Sequence, residues 1–177
     1  MNSVKWIIAS NRIPFQFDPD SRELQRASGG LVTAIDGIQN TIPKLWVGTA
    51  PESMDQSAWE AVSESRSARG VVPIFLEHKL YESYYSNFSN SVLWPLFHYE
   101  SSDHAFAEAD WEAYCQVNQT FANTISSVMD RGDLIWINDY QLFLVPFYLR
   151  KLMPRARIGC FLHIPFPDYE SFRILPW

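Results

Sequence analysis

Four short polar segments of this 177-residue chain carry the residue types that bind a phosphorylated sugar: Asn11-Arg12, Ser28-Gly29-Gly30, Asn138-Asp139 and His163. A guanidinium such as Arg12 grips a phosphate through two parallel hydrogen bonds. The N–H groups of Gly29 and Gly30 can approach a second anion without side-chain obstruction, near the positive end of a following helix. A carboxylate such as Asp139 accepts from two sugar hydroxyls, and Tyr85 and Trp94 offer aromatic walls for a sugar ring. Each feature also has a bland reading. Arg12 can be a solvated loop residue, Asp139 an N-cap, His163 a structural histidine, and the glycines a turn; the two aromatics can be core. No G-x-G-x-x-G follows the first apolar run and no P-loop lysine is present, which disfavours a dinucleotide or ATP site.

What favours the functional reading is where the predicted elements put these segments. Val4 to Ala9 reads as a buried strand that stops at Ser10-Asn11-Arg12. Pro14 to Arg26, around Asp18-Pro19-Asp20-Ser21, reads as a hairpin. Leu31, Ala34, Ile35 and Ile38 share one helical face behind the paired glycines. Leu45 to Gly48 is a short strand, Ser57 to Ser65 a helix, Ser63 to Gly70 a polar loop, and Val71 to Leu76 a strand that Pro73 assigns to a sheet edge. Lys79 to Phe88 is an aromatic-rich helical segment. Asp110 is expected to cap a helix reaching Val128, with Trp111, Tyr114, Val117, Phe121 and Ile125 inward. Asp133 to Ile137, Tyr140 to Met153 and Ile158 to Leu162 then alternate strand, helix, strand. That βαβ spacing predicts an α/β fold with a doubly wound, mostly parallel sheet. All four polar segments would lie at the carboxyl edge of that sheet, where open α/β sheets bind ligands.

Composition narrows the classes further. A chain that is 47% hydrophobic and 15% aromatic can bury enough surface to fold, so disorder is excluded. Its apolar runs are too short and too interrupted for a membrane span. A net charge of -6 argues against a nucleic-acid groove, though a small phosphorylated ligand needs only one or two local cations. Cys115 and Cys160 have no metal-ligand spacing and are expected to be reduced, buried thiols of a cytoplasmic protein. Met1 to Ser10 has no targeting signal. The sequence leaves a homo-oligomer open. Its last residues, Arg173 to Trp177, are apolar and read as the approach to another helix, so the chain is expected to be one domain, residues 1–177, of something larger.

Five collinear motifs carry a family resemblance. They are Ser10-Asn11-Arg12, Ser28-Gly29-Gly30-Leu31, Val92-Leu93-Trp94-Pro95-Leu96-Phe97-His98-Tyr99, Ile135-Trp136-Ile137-Asn138-Asp139-Tyr140-Gln141-Leu142 and Phe161-Leu162-His163-Ile164-Pro165-Phe166-Pro167. In order and spacing the chain resembles trehalose-6-phosphate synthases from residue 4 to its end. The resemblance implies the N-terminal, acceptor-side Rossmann-like domain of a two-domain GT-B glycosyltransferase. It implies transfer of glucose from UDP-glucose to glucose 6-phosphate with retention, giving α,α-trehalose 6-phosphate, with no metal and no cofactor. By motif, Arg12 would grip the acceptor phosphate and Tyr85 would hydrogen-bond it. Gly29 and Gly30 would meet the donor diphosphate, and Asp139 would accept from acceptor hydroxyls. Trp94 and His163 would set the acceptor's pose, His163 lying near the transferred glucose. No second carboxylate stands out beside Asp139, which fits a front-face route in which the leaving phosphate helps deprotonate the incoming hydroxyl. These residues alone are expected to bind acceptor weakly and transfer nothing.

The chain departs from that pattern at Asn138 and Gln141, where many members have His, and at Thr49, where the family often has a second Trp. The departures leave the acceptor open, with glycerol 3-phosphate as one alternative; a non-catalytic regulatory relative is a separate alternative, against which the retained Arg12, Tyr85, Asp139 and His163 argue.

Overall fold

The computed structural model describes residues 4–38, 42–65, 68–100 and 106–177. The middle of the polar stretch Ser63 to Gly70, and the first three residues of the N-terminal segment, lie outside the described residues. Five parallel strands form one sheet in the order β5-β4-β1-β6-β7. They are β1 (Trp6–Arg12), β4 (Lys44–Thr49), β5 (Val71–Ile74), β6 (Leu134–Asn138) and β7 (Arg157–Phe161). β2 (Phe15–Asp18) and β3 (Glu23–Arg26) pair separately as the expected antiparallel hairpin, closed by an Asp18 carboxylate that accepts from Asp20 N–H and the Ser21 hydroxyl.

Strand alternation splits the core in two. Ile7, Ala9, Val47, Ile135 and Ile137 point to a large cluster that takes in Tyr114, Val117, Phe121 and Ile125 of α5 (Glu108–Val128) and Val145 and Leu149 of α6 (Val145–Leu152). Ile8 and Trp46 point to the other face, against Ile35, Leu31 and Val32 of α1 (Gly30–Gly37). Helices on both faces of a parallel sheet are the doubly wound α/β arrangement that the βαβ spacing predicts. β5 is an edge strand, as Pro73 requires. α2 (Gln56–Val62) lies between β4 and β5, its first turn capped by Asp55.

Some expectations need correction. β1 does not stop at Ala9 but runs on to Arg12, with a register shift against β4 between those residues, so Arg12 is a strand residue. The helix expected from Asp110 starts earlier, at Glu108. Asp110 lies buried within its first turn and accepts from Asn87 Nδ2 at 3.1 Å. Tyr140 to Met153 is two pieces, a 3₁₀ turn over Tyr140–Leu142 and then α6, with Pro146 early enough in the helix to be tolerated. Neither thiol is fully buried: Cys160 is exposed on the edge strand β7 and Cys115 of α5 is half-buried, and both are free thiols.

The aromatic segment is one continuous helical rod. α3 (His78–Tyr81) passes into a π-helix over Glu82–Leu93 and then α4 (Trp94–Phe97). The Ser89 and Ser91 hydroxyls each donate to the carbonyl five residues back, Tyr84 and Ser86, following the wider winding. The buried set Tyr84, Phe88, Ser89, Val92 and Leu93 follows that wider period and leaves Tyr81 and Tyr85 facing the sheet's carboxyl edge. α7 (Tyr169–Phe172) ends the ordered elements. Among the described residues no helix is long and apolar enough to cross a membrane.

Candidate functional site

A cleft of about 650 Å³ opens where β1, β4 and β6 end, walled by the hairpin, the start of α1 and the π-helical rod. Its floor depends on an irregular end of β1. The Ser10 hydroxyl donates to the Arg12 carbonyl at 2.7 Å and the Thr49 hydroxyl donates to the Asn11 carbonyl. The Trp46 indole N–H in turn donates to the Ser10 hydroxyl at 2.7 Å. Hydroxyls therefore satisfy carbonyls that the parallel ladder abandons at the register shift. Strand alternation and this shift together aim Arg12 into the cleft.

Arg12 is held there by two tyrosines. Its Nε donates to the Tyr81 phenol oxygen at 3.2 Å, and its guanidinium carbon lies 5.3 Å from the Tyr85 ring centre. Tyr81 and Tyr85, one helical turn apart, stack at 5.2 Å. The Tyr81 hydrogen bond pushes the Arg12 pKa up against a partial desolvation, with the nearby Glu52 carboxylate adding to the effect. With Nε engaged, the two terminal nitrogens are left to fork around an anion.

Asp139 faces the same cleft from the end of β6, with unusual backbone angles, φ 74° and ψ 170°. That region is essentially reserved for glycine and costs another residue on the order of 1–3 kcal/mol. Local hydrogen bonds over-determine it. Asp139 N–H donates to the Phe161 carbonyl at 2.8 Å, and its Oδ1 accepts from Tyr140 N–H at 3.1 Å and His163 N–H at 3.4 Å. Asn138 Nδ2 donates to the Ala9 carbonyl at 3.1 Å, and its Oδ1 lies 3.4 Å from His163 Nε2. The ends of β1, β6 and β7 are laced together through these two residues. Burial, with the nearby Asp139 charge second, raises the Tyr140 phenol, which stays protonated and donates to Asn90 Oδ1.

The structure thus brings Arg12, Tyr85 and Asp139 into one cleft. His163 stands beside them, bonded to Asn138 and Asp139 but outside the lining. Trp94 is 41% exposed, 4.0 Å from the His98 ring and 6.0 Å from Tyr140, and it too lies outside the lining. Gly29 and Gly30 are exposed at the start of α1, next to the lining residue Ser28. A Cβ at either glycine would meet nothing within 4 Å, so packing among the described residues does not demand glycine there.

Three cleft residues escaped the sequence reading. Tyr81 had a signal, the four-residue spacing to Tyr85, which puts both on one helical face. Glu52 and His78 had none, because a loop carboxylate and a rod-end histidine announce nothing until folding joins them. Glu52 Oε1 lies 2.5 Å from His78 Nδ1, on the cleft wall near Arg12. Glu52 thus adds a carboxylate to the Arg12 end of the cleft. Among the described residues no group of three or more His, Cys, Asp or Glu side chains could hold a metal ion.

The family model described as glycosyltransferase family 20 matches residues 4–177. The chain belongs to that family. It is 41% identical, over 96% of its length, to the UDP-forming alpha,alpha-trehalose-phosphate synthase 56 kDa subunit of Saccharomyces cerevisiae, of which it covers 36%. It is 36% identical, over 98% of its length, to a UDP-forming alpha,alpha-trehalose-phosphate synthase of Dictyostelium discoideum, covering 24% of that protein. Among solved structures it superposes on the Burkholderia xenovorans UDP-forming synthase in complex with glucose-6-phosphate with TM-score 0.73 and 31% identity, covering 97% of this chain and 36% of that one. It superposes on the N-terminal domain of Candida albicans trehalose-6-phosphate phosphatase with TM-score 0.81 and 29% identity, covering 99% of this chain and 36% of that one. The chain spans about a third of the length of most of these relatives.

Proposed function

We propose that this chain is the acceptor-side domain of a GT-B enzyme that moves glucose from UDP-glucose to glucose 6-phosphate with retention, forming α,α-trehalose 6-phosphate. The observation that carries the reading is that Arg12 and Asp139, 127 positions apart in the chain, line one sugar-sized cleft. Arg12 and Tyr85 take the 6-phosphate, and Asp139 accepts from ring hydroxyls. Gly29 and Gly30 present N–H groups to the donor diphosphate, and His163 and Trp94 fix the acceptor's pose from the margin. Catalysis in this half is positioning: a sugar ester held by its charged end and its hydroxyls offers one oxygen to the donor carbon. Two free thiols, with no membrane-crossing helix among the described residues, fit a cytoplasmic enzyme. The isolated 177 residues bind acceptor and do not turn over.

The test is a donor and acceptor panel on the complete gene product, with each product identified by mass and anomeric configuration. Formation of α,α-trehalose 6-phosphate supports the reading; transfer to glycerol 3-phosphate instead would reassign the acceptor. A second reading has one observation in its favour: the likeness to the N-terminal domain of a trehalose-6-phosphate phosphatase. In that case the domain binds sugar phosphate without transferring glucose. Measurable affinity for glucose 6-phosphate with no product from any donor would select it.

A further inference from the structure

The hydrogen bonds behind Arg12 determine where one further proton must point. Tyr84 is fully buried, and desolvation drives its pKa well above the ordinary tyrosine value, so it keeps its proton. A buried hydroxyl needs an acceptor, and Tyr84 finds it in Asn11 Oδ1 at 3.0 Å. That bond fixes the Asn11 amide, whose Nδ2 then faces outward and donates to the Tyr81 phenol oxygen at 3.2 Å. Arg12 Nε donates to the same oxygen, also at 3.2 Å. Both lone pairs of Tyr81 are therefore occupied by donors, and neither neighbour can accept. Its proton is directed away from both, and Tyr81 lines the cleft beside Arg12.

We propose that Tyr81 is an anion-binding residue in its own right, its O–H completing a phosphate-sized donor set with the two terminal nitrogens of Arg12. The inference deepens the acceptor site proposed above and rests on that reading for the identity of the anion. Tyr84 and Asn11 are positioning residues in this arrangement: the buried phenol orients the amide, and the amide orients the Tyr81 proton. Glu52, which His78 holds on the neighbouring wall, is the carboxylate the anion must compete with at this end of the cleft.

The experiment is a double-mutant cycle on the complete gene product, with Tyr81→Phe and Arg12→Ala singly and together. Affinity is read for glucose 6-phosphate, inorganic phosphate and glucose. Tyr81→Phe keeps the ring stack on Tyr85 and is expected to weaken both anions roughly tenfold while leaving glucose unchanged, the loss of one hydrogen bond to a charged group. It is expected to weaken them further in the Arg12→Ala background. If Tyr81 acts only by steadying Arg12, that second step vanishes, and the proposal is overturned while the acceptor assignment stands. If inorganic phosphate shows the cycle but glucose 6-phosphate does not bind, the acceptor assignment falls and the anion site stands. If neither anion binds the unmutated protein, both fall.

Discussion

Gly48 of β4 and Arg12 of β1 approach more closely than any side chain would permit. A Cβ built on Gly48 would lie 2.5 Å from the Arg12 carbonyl carbon and 2.6 Å from Ile13 N. Both obstacles are backbone, so neither can swing aside. The close approach is what lets β1 shift register and still receive the Thr49 carbonyl at Ile13 N–H, 3.1 Å away. Gly48→Ala is therefore expected to push the end of β1 outward. Overpacking of this kind costs about 1–3 kcal/mol, read as a lower denaturation midpoint. Because the displaced residue is Arg12, the variant's remaining folded fraction is expected to lose affinity for glucose 6-phosphate more than for glucose. Equal loss for the two sugars would mean that the strand end does not position the guanidinium.

Asp139 combines backbone strain with the proposed acceptor contact at a single position. Asp139→Asn keeps a side-chain oxygen that can accept from Tyr140 N–H, so the fold should hold while kcat/KM of the complete enzyme drops. Asp139→Gly relaxes the φ of 74° and should match or exceed the parent in thermal stability despite losing the cap, yet be inactive. Asp139→Val should be destabilised by at least the 1–3 kcal/mol that this backbone region costs, since a β-branched residue tolerates it worst. Thermal melts beside initial rates check the series. Full activity in the glycine variant would reduce Asp139 to a cap.

The parts legible in the sequence were those governed by period and position. The strand, helix, strand succession from Asp133 to Leu162, and the inward stripe Tyr114, Val117, Phe121 and Ile125, announced a parallel sheet with α5 against it. Pro73 marked an edge because a missing N–H is a local property. The site was legible only as segments. That Arg12 sits in the strand depends, beside the local bond from the Ser10 hydroxyl, on the Thr49 hydroxyl meeting the Asn11 carbonyl across the sheet, a contact no window of sequence contains. Tyr81 ends α3 just before the π-winding of Glu82–Leu93, and its four-residue spacing to Tyr85 marks a shared face but not the Arg12 side chain that folding brings to it. Asp110 looked like a cap because its type suits one, but its carboxylate is spent on Asn87 across the interface with the rod.

At the amino edge of the sheet, opposite the cleft, Asp133 joins the starts of β1 and β6. Its buried carboxylate accepts from Lys5 N–H and from Asp130 N–H, each at 2.8 Å, with Lys5 Nζ at 3.7 Å. Asp133→Ala leaves those donors without their acceptor and is expected to cost roughly 2–4 kcal/mol in urea unfolding. Activity per folded molecule should not change. The Lys5 pKa is raised, chiefly by its hydrogen bond to Asp130 at 3.0 Å. A cation whose folded pKa exceeds its unfolded one contributes stability fully below the unfolded value, and that contribution fades as pH rises through the folded one. Lys5→Met should therefore flatten the alkaline limb of the stability profile above about pH 10 and leave the profile near neutrality parallel to the parent's.

Glu52 gives the cleft a charge that opposes its proposed ligand. Its carboxylate lies near enough to Arg12 to favour the guanidinium's charged form, while its contact with His78 is exposed on both sides. An exposed carboxylate at such a site contributes on the order of 0.2–1 kcal/mol, so Glu52→Gln should tighten glucose 6-phosphate binding by roughly 1.4- to fivefold. Glucose, having no charge, should bind as before. Salt screens the carboxylate's repulsion of the anion, so the advantage of the variant should shrink as ionic strength rises from about 0.01 to 1 M. An advantage that persists unchanged at high salt would instead mean that Glu52 blocks the cleft by its bulk or its hydrogen bonds.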